Sequence, residues 1–169
     1  MSVRVGGNQN YIEDTNGNAA LCIPATGSAV NCVTLTNAGV GNAPELSASG
    51  SDTNIDLQLS GKGTGKAKLG DTGTASATSG AATLNKQRGT ITSEALTTAA
   101  GSTYTLTLTN SKVAATSQVM ASADNGTNTQ GELTVQRVTP ASGSVVILLK
   151  NTHATDAYNG TVKINFLVC

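Results

Sequence analysis

Few residues in this chain could do chemistry, and the first to consider is its single histidine, His153, which lies three residues before Asp156. A Ser-His-Asp triad requires an imidazole that contacts a nucleophile and is oriented by an acid. Asp156 could be that acid, but serine is so abundant in this sequence that a serine elsewhere in the chain carries no information. We therefore predict that His153 is a solvated loop residue, that the chain has no catalytic residues, and that it is not an enzyme.

Two further segments have only a superficial likeness to metal or cofactor sites. Residues 52–56 (DTNID) contain two acids and an asparagine, but they lack the closing glutamate ligand of a calcium loop. Residues 60–67 (SGKGTGKA) have the glycines and lysines of a phosphate-binding loop. However, no glycine lies five residues before Gly65, and Ala67 stands where a serine or threonine is needed. Both segments are predicted to be turns, and no metal ion or cofactor is expected.

The three cysteines, Cys22, Cys32 and Cys169, form no CxxC or Cys/His pair, so neither a zinc site nor a redox motif is indicated. Cys22 and Cys32 could face each other across a hairpin that turns near residues 25–28. The interpretation we favour is that all three cysteines are small buried apolar residues, because free cysteine usually packs in that way.

Composition excludes several classes of function. Charged residues make up 12% of the 169 residues, aromatic residues make up 2%, and the formal net charge is zero. Without a basic cluster or aromatic side chains to stack on bases, the chain is expected to bind neither nucleic acid nor an acidic membrane. No apolar run approaches the ~20 residues that span a bilayer. The first residues do not have the pattern of a signal peptide, so synthesis and folding in a reducing cytosol are expected.

Residues 1–72 are predicted to form a β-rich segment of short strands. Glycine, asparagine and serine recur every few residues and separate alternating runs at 33–36 (VTLT) and 55–59 (IDLQL). Two-stranded ribbons with so few large side chains are not stable alone, because burial must offset a backbone entropy cost of roughly 1–2 kcal/mol per residue. Either the segment is partly disordered, or identical copies bury their apolar faces around an axis. We favour the second and place Ile55, Leu57 and Leu59 at the interface between copies.

The pattern changes after this segment. Residues 73–82 carry only small uncharged side chains, so we predict a linker over residues 73–87; a short, weakly packed strand in an oligomer is the alternative. Residues 88–169 contain about six strand-like runs, separated by turn sequences such as Asn125-Gly126 and Asn159-Gly160. This spacing predicts a small antiparallel β-sandwich.

The run at 145–149 (VVILL) is continuously apolar, which predicts that both faces of this strand are covered. In a small sandwich only one face belongs to the core, so a sister subunit is the candidate for covering the other. A long loop over a central strand is the alternative. Val145, Ile147 and Leu149 are therefore candidate interface residues, and both halves of the chain indicate self-association.

Residues 33–59 (VTLTNAGVGNAPELSASGSDTNIDLQL), continuing into 61–65 (GKGTG), resemble a module of tailed-bacteriophage virion proteins. These proteins include head fibres, capsid decoration (cement) proteins and tail fibres. Residues 101–109 (GSTYTLTLT) and 160–166 (GTVKINF) are similar to their small β-domains. The resemblance implies an all-β homotrimer in which a fibre-like N-terminal segment precedes a jelly-roll-like sandwich, and it brings no catalytic residue.

The length favours a decoration protein, since receptor-binding tail fibres are usually longer and end in a domain rich in exposed aromatic residues. The expected partners are then other copies of the chain and the major capsid protein, and the expected location is the capsid surface of the virion. We expect Ser2, Val3, Arg4 and Val5 to add as an edge strand to a capsid strand. A head or tail fibre that binds a host surface glycan is the alternative function.

Overall fold

The computed structural model describes residues 11–13, 15–24 and 26–169, and in these residues the protein is all-β, which confirms the predicted class. They contain 14 strands and no helix. The chain divides into two compact units, Met1–Ala67 and Lys68–Cys169, which we call the N-terminal unit and the sandwich unit.

Two antiparallel hairpins make up the regular structure in the described part of the N-terminal unit. Their strands are β1 (Tyr11–Glu13) with β2 (Ala19–Cys22), and β3 (Asn31–Thr36) with β4 (Glu45–Gly50). In the second hairpin Val33 lies opposite Ala48, and Leu35 lies opposite Leu46. Because side chains alternate along a strand, these four apolar residues share one face of the hairpin, and serine and threonine occupy the other.

The strand predicted at residues 55–59 is not formed. This segment has no ladder partner in the described residues, although Ile55 and Leu57 line a shallow depression together with Val33 and Ala48. Its sequence alternates as a strand does, but a strand also needs a neighbour for its backbone hydrogen bonds, and the single chain does not place one beside it.

The sandwich unit contains ten of the strands. They are β5 (Thr72–Ser76), β6 (Ala81–Thr83), β7 (Arg88–Thr92), β8 (Leu96–Thr98), β9 (Thr103–Thr109), β10 (Val119–Asn125), β11 (Leu133–Ala141), β12 (Ser144–Asn151), β13 (Tyr158–Gly160) and β14 (Val162–Val168). Two four-stranded sheets have the strand orders β10-β14-β7-β5 and β11-β12-β9-β6, and β13 pairs with β8 in a small third sheet.

The sandwich is not wholly antiparallel, which corrects the predicted arrangement. β5 pairs parallel with β7, and β6 pairs parallel with β9. β5 and β6 are the edge strands of the two different sheets, so the chain crosses from one sheet to the other between them. Ser79 and Gly80 make this crossing with positive φ angles of 50° and 72°.

The linker predicted at residues 73–87 is wrong, because this segment contributes most of β5 and all of β6 to the sandwich. Ala77 and Ala82 are buried in the core. Gly73 lies opposite Gly89 in the parallel pair, where a Cβ on Gly89 would come 2.5 Å from the carbonyl oxygen of Gly73. The small side chains therefore reflect close packing rather than a loose connection. The division of the chain falls between residues 67 and 68 instead of after residue 72.

One hydrophobic cluster lies between the two four-stranded sheets. β9 shows how the sequence builds it, since Tyr104, Leu106 and Leu108 are buried while the threonines between them are exposed, as the alternation predicts. β12 and β14 contribute alternate residues in the same way. The largest fully buried side chains are those of Tyr158, Ile91, Leu106, Leu108, Ile147, Leu149, Ile164, Val145, Val162, Asn110 and Asn151.

Asn151, at the end of β12, uses its buried amide to tie three segments together. Its Nδ2 donates hydrogen bonds to the carbonyl oxygens of Thr98 and Asp156, both at 2.9 Å. Its Oδ1 accepts hydrogen bonds from the backbone N–H groups of Glu132 at 3.2 Å and His153 at 3.1 Å. The side chain is thus fully paired, as a buried polar group must be.

The three cysteines are exposed and free, so the expectation that they are buried apolar residues is wrong. Cys22 lies opposite Tyr11 in the first hairpin, and Cys32 lies opposite Ser49 in the second. The two residues belong to different hairpins and do not face each other across one turn.

Candidate interaction surfaces

His153 orders its own loop. Its Nδ1 accepts hydrogen bonds from the backbone N–H groups of Asp156 at 2.9 Å and Thr155 at 3.4 Å. The Oδ2 of Asp156 lies 3.8 Å from the same nitrogen. In a catalytic triad the Nδ1–H donates to the acid. Here Nδ1 accepts, so the geometry does not match the base of a triad.

A groove of about 660 Å³ lies between β10 and β11. The half-buried Ala121 and Ala123 of β10 line one side of it, and Leu133 and Val135 of β11 line the other. Its further lining residues are Ser122, Asn125, Gly131, Glu132, Thr134 and His153. The lining of the groove thus mixes apolar side chains with polar ones, among them Glu132 and His153, which is a surface that can bind.

β10 and β11 are edge strands of the two different sheets. They differ in how regular an edge each offers to an added strand. The pairing of β11 is interrupted by a bulge between Val135 and Arg137, and Pro140 lacks a backbone donor. β10 pairs with β14 over seven residues without irregularity. Its other edge therefore presents regular backbone groups, as a strand-addition site does.

The candidate interface residues of β12 lie inside the chain's own core. Val145, Ile147 and Leu149 are fully buried between the two sheets, so their placement between subunits is wrong. Val146 and Leu148 point to the outer face and are half-buried. β12 is a central strand, and its neighbours β9 and β11 shield these two residues from both sides. A continuous apolar run therefore arises here from a central strand in a single chain.

The N-terminal unit leaves its large aliphatic side chains exposed. In the part of the chain that the structure describes, 12 large hydrophobic residues are exposed, and ten of them lie in this unit. These ten are Ile12, Leu21, Ile23, Val30, Val33, Leu35, Val40, Leu46, Leu57 and Leu59. The buried hydrophobic residues begin only at Ala77, so the N-terminal unit has no core of its own among its described residues.

The most regular of these exposed surfaces is one face of the β3–β4 hairpin. Val33 is 60% exposed, Leu35 is 79% exposed and Leu46 is 47% exposed. The exposed portions together equal about two whole aliphatic side chains, whose burial would stabilise each copy by about 3–6 kcal/mol. We call Val33, Leu35, Leu46 and Ala48 the hairpin face.

The sequence-predicted interface residues of the N-terminal unit are accessible. Leu57 and Leu59 are exposed and Ile55 is half-buried. Leu57 lies beside the hairpin face, since both border the same depression. Ser2, Val3, Arg4 and Val5, the predicted capsid-binding residues, lie outside the described residues.

Sequence reasoning missed the hairpin face as a candidate site. The alternation at residues 33–36 was recognised, but β4 contains only one large apolar residue, Leu46, among small and polar ones. The face becomes apolar only when the register brings Leu46 opposite Leu35. The alternation of large apolar residues is therefore visible in the sequence of β3 but not in that of β4.

The groups with shifted pKa values serve the fold. Burial raises the pKa of Tyr104, and the nearby Glu94 raises it further. The Tyr104 hydroxyl donates to Glu94 Oε2 at 3.1 Å, while Oε1 accepts the backbone N–H of Gly80 at 2.8 Å. Burial also raises the pKa of Tyr158, whose hydroxyl donates to the carbonyl oxygen of Thr161 at 2.8 Å. Neither tyrosine lines the groove between β10 and β11.

The backbone N–H of Gln87 donates to Asp71 Oδ1 at 2.8 Å and lowers the pKa of that carboxyl below its usual value. The Nζ of Lys86 lies 3.4 Å from Asp71 Oδ2 and acts in the same direction. Both side chains are well exposed, so solvent screens the pair and it adds little stability.

Within the described ranges, no helix is long and apolar enough to cross a membrane. The same residues contain no group of three or more His, Cys, Asp or Glu side chains that could hold a metal ion. Comparison with known proteins finds no family model, no curated protein and no solved structure that matches the chain.

Proposed function

We propose that the chain is a non-enzymatic structural protein of a tailed-bacteriophage virion, a decoration protein that binds the assembled head as a homotrimer. A protein that binds only the assembled shell stabilises it by mass action. A trimer also presents three linked contacts, so weak binding at each can add to firm attachment. The major capsid protein is the partner in this proposal, and the capsid surface is the location.

One observation carries the proposal: the described residues of the N-terminal unit expose ten large aliphatic side chains, while those of the sandwich unit enclose a hydrophobic core. A chain of this kind completes its fold only within an assembly. The likeness of residues 33–65 to virion modules supplies the kind of assembly. The serine- and threonine-rich surfaces of β9 and of the hairpin, which carry a single charged residue, Glu45, suit a packing role better than catalysis.

The proposed homotrimer includes a jelly-roll-like sandwich. Two four-stranded sheets around one core support this, because a jelly roll has eight strands in two sheets. The parallel pairs β5–β7 and β6–β9 depart from that pattern at one side of the sandwich.

Electron microscopy of virions that carry this chain, labelled with an antibody against the sandwich unit, tests the proposal. Label distributed over the head at three-fold positions is expected. Label confined to the tail would overturn it. Ser2, Val3, Arg4 and Val5 are proposed as the capsid contact, so deletion of residues 2–10 should abolish binding to purified heads and leave the oligomer intact.

A head or tail fibre that binds a host glycan is the second candidate. The groove between β10 and β11 favours it, because Ser122, Asn125 and Glu132 place hydrogen-bonding groups along an open channel. A glycan array separates the two functions. A decoration protein should bind no sugar, whereas a fibre should bind a defined glycan, and Glu132→Ala should then weaken that binding.

A further inference from the structure

The hairpin face is the apolar side of an amphipathic two-stranded ribbon. Val33 pairs with Ala48 and Leu35 pairs with Leu46 on this side. The opposite side carries Cys32, Thr34, Thr36, Glu45, Ser47 and Ser49. Only one side of the ribbon therefore gains from being covered.

The end of the hairpin nearest residues 31 and 50 is closed by local bonds. Asn31 Nδ2 donates to Asp52 Oδ2 at 2.7 Å, and the backbone N–H of Ser51 donates to the carbonyl oxygen of Val30 at 3.2 Å. These bonds hold the register that brings Leu35 opposite Leu46. The hairpin face is thus a defined surface even though it is uncovered.

We infer that the hairpin face packs against the same face of other copies of this chain, and that this contact is the core of the homotrimer. Only the number of copies, three, is taken from the proposed function; the contact itself is argued from the hairpin face. It replaces Val145, Ile147 and Leu149, which are buried within one chain, as the site of self-association.

Three features favour a copy of the same chain over a foreign partner. The four residues of the hairpin face carry no charge, so identical faces can meet without like-charge repulsion. Identical faces also match in size, so neither leaves apolar surface uncovered. Finally, an isolated two-stranded hairpin is marginal in water. The covering partner must be present whenever the chain folds, and other copies satisfy that requirement.

The test compares Leu35→Lys with Thr36→Lys, which places the same side chain on the next residue, on the opposite side of the ribbon. Light scattering after size exclusion measures the molar mass. Wild type and Thr36→Lys should give three times 16.8 kDa, about 50 kDa, and Leu35→Lys should give 16.8 kDa at the same concentration. A Leu35→Lys protein that keeps the wild-type mass would overturn the inference and leave the homotrimer standing.

A cross-linking measurement guards against simple misfolding. In a background with the three native cysteines changed to serine, Leu35→Cys should cross-link between copies with a short bis-maleimide, whereas Thr36→Cys should not. Equal cross-linking of the two variants would contradict the inference. The near-ultraviolet circular dichroism should keep most of its intensity in every variant, since two of the three tyrosines, Tyr104 and Tyr158, belong to the sandwich unit.

The outcome also separates this inference from the function. A trimer that Leu35→Lys dissociates but that does not bind heads would support the interface and contradict the decoration role. A dimer dissociated by Leu35→Lys would support the hairpin face and contradict the homotrimer. A wild-type protein of 16.8 kDa would overturn both.

Discussion

Replacement of Asn151 by alanine should destabilise the sandwich unit more than any exposed polar substitution. Its amide makes four hydrogen bonds, two donated to carbonyl oxygens and two accepted from backbone N–H groups. At roughly 0.5–1.5 kcal/mol for each bond, their loss costs about 2–6 kcal/mol. Three of the four groups left behind, those of Glu132, His153 and Asp156, lie outside strands and regain some water. We therefore expect a loss of about 3 kcal/mol, which lowers the melting temperature by about 10 °C.

Urea unfolding followed by far-ultraviolet circular dichroism measures this free energy. The transition midpoint should fall while the slope stays the same, because the core is intact. Asn151→Asp should be at least as damaging at neutral pH, since it turns a donor into a carboxylate that faces the carbonyl oxygens of Thr98 and Asp156. Asn125→Ala, at an exposed asparagine at the end of β10, is the matched control and should stay within about 0.5 kcal/mol of wild type. A loss below about 1 kcal/mol in Asn151→Ala would refute the argument that this amide ties the loops together.

Two further predictions concern the sandwich unit. Gly80→Ala should cost about 2–4 kcal/mol, because φ is +72° and a Cβ would lie 2.6 Å from the carbonyl oxygen of Thr105. Gly101→Ala, with φ of +74° and nothing within 4 Å of the Cβ, should cost only about 1 kcal/mol, and equal losses in urea unfolding would show that crowding plays no part. The raised pKa values of Tyr104 and Tyr158 imply that the folded state keeps protons which the unfolded state loses, so stability should fall as the pH rises above 10.0. A pH titration that follows tyrosinate absorbance together with circular dichroism checks this dependence. Ionisation of Tyr104 and Tyr158 while the protein is still folded would contradict it.

The strand pattern of the sandwich unit was predictable because its strands alternate strongly. In β9 the apolar residues fall at every second position, and the turn sequence Asn125-Gly126 marks the end of β10. The turn predicted at Asn159-Gly160 is instead part of β13, where both residues pair with β8. Strand order was not predictable, because the parallel pairs are formed by β5 and β6, two short segments of small residues with little hydrophobic signal. Small residues fit a crowded edge and a loose linker equally well, and sequence alone does not distinguish these two environments.

The candidate surfaces were predictable only where exposure follows from composition. The scarcity of large side chains in the N-terminal unit correctly indicated that it lacks a core among its described residues. The continuous apolar run at 145–149 did not indicate the interface correctly. In a central strand, side chains of the two neighbouring strands can shield the outer face, so no second subunit is needed to explain such a run. The hairpin face required the register of β3 and β4, which the sequence of β4 does not reveal.

The position of β14 has a consequence for synthesis. This strand follows all the other described strands in the sequence, yet it lies inside its sheet between β10 and β7. While a ribosome is still translating residues 162–168, those two strands lack their common neighbour, and Ile164 and Phe166 are missing from the core. A chain that stops before β14 would leave the edges of β10 and β7 open, so we expect proteases to cleave it more readily than a chain that contains β14.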